Sequence, residues 1–439
     1  MSDTSSLRGK RILITSYSYA NFGGAALNAV ELADQLREFG MKPDFFSYDV
    51  SGPLAKYIEK KFGKSILTDQ VNNLSQSDDE MGITELRIED YDYIWVGGNT
   101  IPISFLKQIN SIKKLPKFIF VHMSPLVGFP LDAPLMPDFE EKVASKILSI
   151  SKSTTTDNLF RILHRDTPID YWPNPVPSEF KYLQKRSGNL RKIAVISSSH
   201  PSSDIMELGQ ILKQKNISVD YIGKFNKNIK VVDAEFYNEY DLIIGIGKNA
   251  RYSMVCGVPV YIYGRFGGGG YINDKNLKLN ESYNFSGRGF TTKNANTIAE
   301  EIVTNYQDAL SFHQTNREKF IHELSLDNVA KRLFTELEQQ DSVEIKFDKN
   351  HLNWLISMQI NLIQRHNRTA VARNAHIKIE KLEFKIAYLE ENNLQLKLHR
   401  NNLKKEVSNM YHSLSWKCTK PLRMANSIRR KISNKMSRG

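Results

Sequence analysis

Between Tyr171 and Pro177 the chain reads Tyr-Trp-Pro-Asn-Pro-Val-Pro. Three prolines in five residues can continue neither a helix nor an inner strand. The segment reads as a hinge between two stretches with the same rhythm. Before it, short apolar runs at 11–15, 43–48, 93–96, 117–121 and 146–150 alternate with helical patterns. The clearest helix is expected over 25–39, where Ala29, Leu32, Ala33, Leu36 and Phe39 share one face and Gly40 ends it. After the hinge, strands are expected at 192–197, 218–222, 241–245 and 258–263, with helices at 203–215, 249–256, 294–306 and 312–340. Strands of this kind, apolar throughout and separated by helices, make parallel sheets covered on both faces.

The fold class is therefore α/β, with two Rossmann-like domains facing a cleft and a helical C-terminal extension. The expected domains are 1–175 and 176–345. A helical linker at 346–375, a coiled coil at 376–410 and a basic tail at 411–439 follow. A chain of 439 residues is long enough for this division. Two cysteines, Cys256 and Cys418, exclude a disulfide scaffold and suit a reducing compartment. No run approaches the 18 or so apolar residues of a membrane span, and residues 1–11 lack the apolar core of a secretory signal. A cytoplasmic protein is expected.

Ligands of open α/β sheets bind beyond the carboxyl ends of the strands. In the first half that edge carries Asn21, Gly23 and Gly24, in a loop that opens a helix, and His122 at the end of a strand. In the second half it carries Ser198, Ser199 and Lys224. There too lies Gly247-Lys248, where a glycine turn, a helix start and a cation suit a diphosphate. Arg265-Phe266-Gly267-Gly268-Gly269-Gly270 reads as a loop that hugs a ligand. Asp90-Tyr91-Asp92 has the Asp-x-Asp spacing of some metal sites but precedes its strand, at the wrong edge of the sheet. No His, Cys and carboxylate grouping has metal-ligand spacing, so neither a metal nor a cofactor is expected.

With Asn21-Phe22-Gly23-Gly24-Ala25, the proline hinge and Cys256-Gly257-Val258-Pro259-Val260, the chain resembles bacterial glycosyltransferases of the GT-B fold that build cell-surface polysaccharide. The likeness covers about residues 9–340. It implies a nucleoside-diphosphate sugar as donor and a lipid-linked or glycan acceptor, without a metal. It implies that Lys248 and Arg265 face the diphosphate and that His122 contacts donor sugar or acceptor. One position departs: many such enzymes place a ribose-binding Glu five residues before the Gly of Gly-x-Pro, where this chain has Tyr252. Retaining and inverting chemistry both stay open. So do a polysaccharide pyruvyltransferase and a non-catalytic scaffold.

The C-terminal region follows another rule. Leu382, Leu389, Leu396, Leu403 and Met410 recur every seventh residue as a d column, with Ile379, Ile386, Asn393, Arg400 and Val407 at a. Ile at a with Leu at d favours a parallel two-stranded coil. Lys378–Glu383 and Lys385–Glu390 would pair between chains, so a homo-oligomer is expected. From Tyr411 to Gly439 there are eight Lys or Arg and no acid, which leaves the rest of the chain at +4 of its +12. The charge is a tail property, which argues against nucleic acid and for an anionic membrane surface. Ser413-Leu414-Ser415-Trp416-Lys417-Cys418-Thr419-Lys420-Pro421-Leu422-Arg423 resembles a tail that follows coiled coils in enzymes of surface-polysaccharide assembly. It implies a peripheral position on the inner face of the membrane.

Overall fold

The computed structural model describes residues 4–68, 86–125, 133–181, 188–197, 201–223, 232–341 and 345–436. They form two compact units, Met1–Ile363 and Gln364–Gly439.

The first unit holds both expected domains. The first contains β1 (Arg11–Thr15), α1 (Gly24–Glu38), β2 (Lys42–Phe46), α2 (Pro53–Phe62), β3 (Tyr93–Gly97), α3 (Ile103–Gln108), β4 (Lys117–His122), α4 (Pro137–Val143), β5 (Ala144–Ser149), α5 (Lys152–Asp157) and β6 (Asp170–Tyr171). Its parallel sheet runs β2-β1-β3-β4-β5-β6. The second contains β7 (Lys192–Ile196), α6 (Ser203–Gln214), β8 (Ser218–Ile222), α7 (Ala234–Asn238), β9 (Leu242–Gly245), α8 (Lys248–Cys256), β10 (Val260–Gly264), β11 (Gly267–Tyr271), α9 (Leu277–Ser282), α10 (Ala295–Thr304), α11 (Tyr306–Leu324) and α12 (Leu326–Glu338). Its sheet runs β11-β10-β9-β7-β8, parallel except for β11.

Alternation along each strand feeds two cores per sheet. Ile12, Ile14, Tyr93 and Trp95 pack with α1 and α2, while Leu13, Ile94, Val96 and Phe118 pack with α3 and α4. In the second domain Ala194, Ile243, Val260 and Ile262 pack with α8 and α11, and Ile193, Val195, Leu242 and Ile244 with α6 and α10. Strand order reverses between β1 and β3 and between β7 and β9. The loops after those strands are the natural ligand crevices.

The hinge forms as expected, but the chain crosses back. Val176 N donates to Leu324 O and Leu326 N to Val176 O, each at 2.8 Å. From there α12 packs on the first domain through Leu326, Val329, Ala330, Leu333, Phe334 and Leu337. Phe347, Leu352 and Leu355 then join the opposite core of the same sheet. The expected boundary at 345 and the linker from 346 are thus displaced, because the apolar face of this segment belongs to the first domain's core.

A second difference concerns the glycine run. Gly267–Tyr271 is β11, an edge strand antiparallel to β10, and not a loop. Glycine lacks the side chain that marks a strand in sequence, and the neighbours impose the extended form.

Helix α13 (Lys349–His412) begins in the first unit and continues without a break through the heptads of the second. Leu389, Leu396, Leu403, Val407 and Met410 are exposed. The side chains of Lys378, Ile379, Leu382, Glu383, Lys385, Ile386 and Glu390 lie outside the described residues. Then α14 (Leu414–Cys418) and α15 (Lys420–Met436) make a hook. Ser413 Oγ accepts from Trp416 N at 3.2 Å, a helix cap. The Arg423 guanidinium lies 3.6 Å from the Trp416 ring centroid and donates to Thr419 Oγ1 at 2.6 Å. Tyr411 meets the same indole edge-on at 4.9 Å. The Ser-Trp-Thr-Arg spacing therefore acts locally, locking the turn between the two helices. Among the described residues no helix is long and apolar enough to cross a membrane.

Candidate functional site

The first-domain side begins with the loop after β1, which is tied to the loop after β2. Ser18 Oγ donates to Asp49 Oδ2 at 2.7 Å, and Tyr19 N donates to Asp49 O at 2.9 Å. This brace presents Asn21, Gly23 and Gly24 to solvent at the head of α1. A Cβ placed on Gly23 or Gly24 meets nothing within 4 Å. Among the described residues no atom demands glycine there, so the space is available to a ligand. Gly97 differs: a Cβ would sit 2.7 Å from Thr15 O, so glycine lets β1 and β3 close at the crevice.

His122 ends β4 and is 4% exposed. Its Nε2 lies 2.7 Å from Glu140 Oε1 on α4. Among the described residues Nδ1 has no partner. A carboxylate that fixes one ring nitrogen and leaves the other open is the arrangement of an oriented histidine base. Glu140 was not singled out in the sequence, since no spacing rule ties it to His122.

On the second-domain side, Gly247 turns the chain at φ 59° and caps α8. Lys248 does not project into open space. Its side chain is buried, with Nζ 2.6 Å from Glu31 Oε2, 3.1 Å from Pro175 O and 3.4 Å from Asn174 Oδ1. Tyr252 donates its hydroxyl to the other oxygen of Glu31. Asn174 also accepts from Asn28, which accepts from Trp172 Nε1 at 2.8 Å. Glu31 and Asn28 belong to α1, so this buried polar network joins α1, the hinge and α8. Burial opposes both charges, lowering the Lys248 pKa and raising that of Glu31, while each partner's charge resists the shift. The cation expected at a diphosphate instead ties the two domains together.

The glycines of β11 also face protein. A Cβ on Gly268 would overlap Ile262 O, one on Gly267 would overlap Thr291 O, and one on Gly269 would lie 2.8 Å from the Phe290 ring. Their smallness is explained by packing, which corrects the reading of a loop shaped by a ligand.

What remains at the carboxyl end of β10 is a cationic cluster. Arg265 and Arg288 lie over one ring, their guanidinium carbons 4.5 and 4.2 Å from the Phe266 centroid. Neither has a carboxylate partner among the described residues. Burial, and then the charge of Arg265, lowers the pKa of Arg288. Arg288 rides on a loop with φ of 49°, 53°, 81° and 82° at Asn284, Phe285, Gly287 and Gly289. Left-handed backbone at Phe285 costs about 1–3 kcal/mol, and buried surroundings hold it there. The loop is pinned to the start of α8 by Gly247 N donating to Phe285 O at 3.0 Å. The structure thus joins Arg265, Gly247 and Arg288. The sequence offered only the Gly-Arg-Gly step at 287–289 as a sign of the last. Ser198, Ser199 and Lys224 lie outside the described residues. Among the described residues no group of His, Cys, Asp and Glu is arranged to hold a metal ion.

No protein-family model matches the sequence, and no curated protein matches it. Solved structures do. An alpha-glucosyltransferase in complex with UDP and a 13-mer DNA containing an HMU base superposes with a TM-score of 0.50 at 11% identity, over 75% of this chain and 100% of that one. A glycosyltransferase from Rickettsia africae superposes at 0.48 and 14% identity, over 76% of this chain and 100% of that one. Two Rossmann-like domains of the GT-B type, followed by a helical C-terminal region, are the fold of this chain.

Proposed function

We propose that the chain is a glycosyltransferase that moves a sugar from a nucleoside diphosphate to a lipid-linked or glycan acceptor in surface-polysaccharide assembly. A fold alone carries many activities, so the reading rests on one observation: Arg265 and Arg288, without a carboxylate partner among the described residues, both against the Phe266 ring at the carboxyl end of β10. Two cations held together, with no acid beside them among the described residues, suit a diphosphate, with the Phe266 ring beside it and the first turn of α8 adding its dipole. The UDP bound in the alpha-glucosyltransferase complex supports a nucleotide at this cleft.

In an inverting reaction, His122, oriented by Glu140, takes the acceptor hydroxyl proton. The acceptor oxygen bonds the anomeric carbon as the bond to the diphosphate breaks, and the cations at Arg265 and Arg288 stabilise the departing charge. The glycines at 23 and 24 leave room for the acceptor side. Heptads 376–410 pair two copies, and the hook and basic tail rest on the anionic inner face of the cell membrane, where a lipid-linked acceptor is found.

A second reading, a non-catalytic scaffold on a degenerate transferase body, is favoured by Tyr252, which spends its hydroxyl on Glu31. Thermal shifts of the full chain with UDP, dTDP, GDP and phosphoenolpyruvate separate these. A nucleotide at a hundred times its Kd adds about 2.7 kcal/mol. A shift with one nucleoside diphosphate, lost in Arg265→Ala and Arg288→Ala, is expected. A shift with phosphoenolpyruvate alone would make the chain a pyruvyltransferase, and no shift would leave the scaffold.

A further inference from the structure

A cavity of about 330 Å³ opens where the two domains meet near the hinge, within the usual size range of small-molecule sites, about 300–1,000 Å³. Ser151, Lys152 and Tyr171 line it from the first domain, Lys278 and Glu281 from α9 of the second. Arg251 stands behind Tyr171. It is 1% exposed, its Nη2 donates to the Tyr171 hydroxyl at 2.6 Å, and its carbon lies 4.7 Å from the Phe285 centroid. Among the described residues its Nε has no hydrogen-bond partner. A guanidinium buried without an ion-pair partner is costly, and an arriving anion would lower that cost.

The lining has the same bias. Lys152 and Lys278 come from opposite domains, and neither forms an ion pair among the described residues. Of the two lining carboxyls, Asp170 is held by Lys146. The other, Glu281, makes no side-chain hydrogen bond among the described residues; burial raises its pKa, against the charges of Arg251, Lys319 and Lys278.

We propose that this interdomain pocket binds an oxyanion of the substrate, a sugar carboxylate or a phosphate, between Lys152 and Lys278 with Arg251 behind Tyr171. That the oxyanion belongs to the acceptor rests on the transferase reading; the pocket's preference for anions does not.

The test is calorimetric titration of the full chain with glucose, glucuronic acid and glucose 6-phosphate. At least one charged sugar is expected to bind about tenfold more tightly than glucose. Lys152→Ala and Lys278→Ala should each weaken that binding about fivefold, since each removes one close charge, while Lys213→Ala, an exposed lysine of α6, changes nothing. Arg251→Leu is the stronger change, but the lysine variants carry the test where it fails to fold. Preference for glucuronic acid assigns a carboxylate, and preference for glucose 6-phosphate a phosphate. Equal binding of glucose, no binding of any probe, or lysine variants that bind as the parent does would overturn the proposal. Anion binding without a nucleotide shift would remove the transferase reading and keep the pocket. A nucleotide shift without anion preference would do the reverse.

Discussion

Two glycine runs invite opposite conclusions from sequence and structure. Gly23-Gly24 is short and plain as a motif, yet nothing among the described residues occupies the space a side chain would take. Gly267–Gly270 is the conspicuous run, and its first three members are fully accounted for by Ile262, Thr291 and Phe290. A glycine marks a close approach, but sequence does not say whether ligand or protein makes it. The same split divides the cations. Lys248 is satisfied inside the protein, and among the described residues Arg265 and Arg288 have no carboxylate partner.

The largest effect should separate the glycines. Gly268→Ala is expected to cost about 4 kcal/mol or to prevent folding, because backbone cannot move aside cheaply. Gly24→Ala should leave stability within about 1 kcal/mol of the parent. Urea unfolding of both variants decides, and equal losses would break the comparison.

Next come the cations. Lys248→Ala strands Glu31 and should cost about 3 kcal/mol, whereas Arg265→Ala and Arg288→Ala should stay within about 0.5 kcal/mol. A stable Lys248→Ala protein that has lost nucleotide binding would return that lysine to the donor site.

A pH series sharpens the picture of the β10 region as a packed body. His313 is fully buried, accepts from Val260 N on β10 at 3.4 Å, and burial lowers its pKa to about 3. Its unfolded value is near 6.5, so the unfolded state binds the extra proton between the two. Its stabilising contribution is whole above about pH 6.5 and is lost as pH falls toward about 3. His313→Gln should flatten that part of the stability curve, and an unchanged slope would contradict the assignment.

The smallest effect concerns the hook. Arg423→Ala should loosen the turn at Trp416 and leave the unfolding of the first unit within about 0.5 kcal/mol, as a change outside its core. A larger loss would tie the hook to that unit's stability.

The strands, the helix at 25–39 and the hinge were legible because apolar periodicity and proline act locally. β11 was not, because a strand of glycines has no side-chain pattern to read. The return of 326–341 and 345–363 to the first domain was hidden too, since an amphipathic helix does not say which core it faces. The site was half legible. Strand ends pointed to Arg265, Gly247 and His122. Tyr252 and Glu31 stand 221 positions apart, and only the folded chain brings such pairs together. Arg288 and Glu140 were missed for the same reason.

The central claim is that Arg265 and Arg288, which have no carboxylate partner among the described residues, are completed by a nucleoside diphosphate. Calorimetric titration of UDP and dTDP into the full chain and into Arg288→Ala tests it directly. The account predicts saturable binding of at least one of them to the parent, weakened at least tenfold in a variant that unfolds at the parent's urea concentration. Equal affinity in the variant, or no binding to the folded parent, would contradict it.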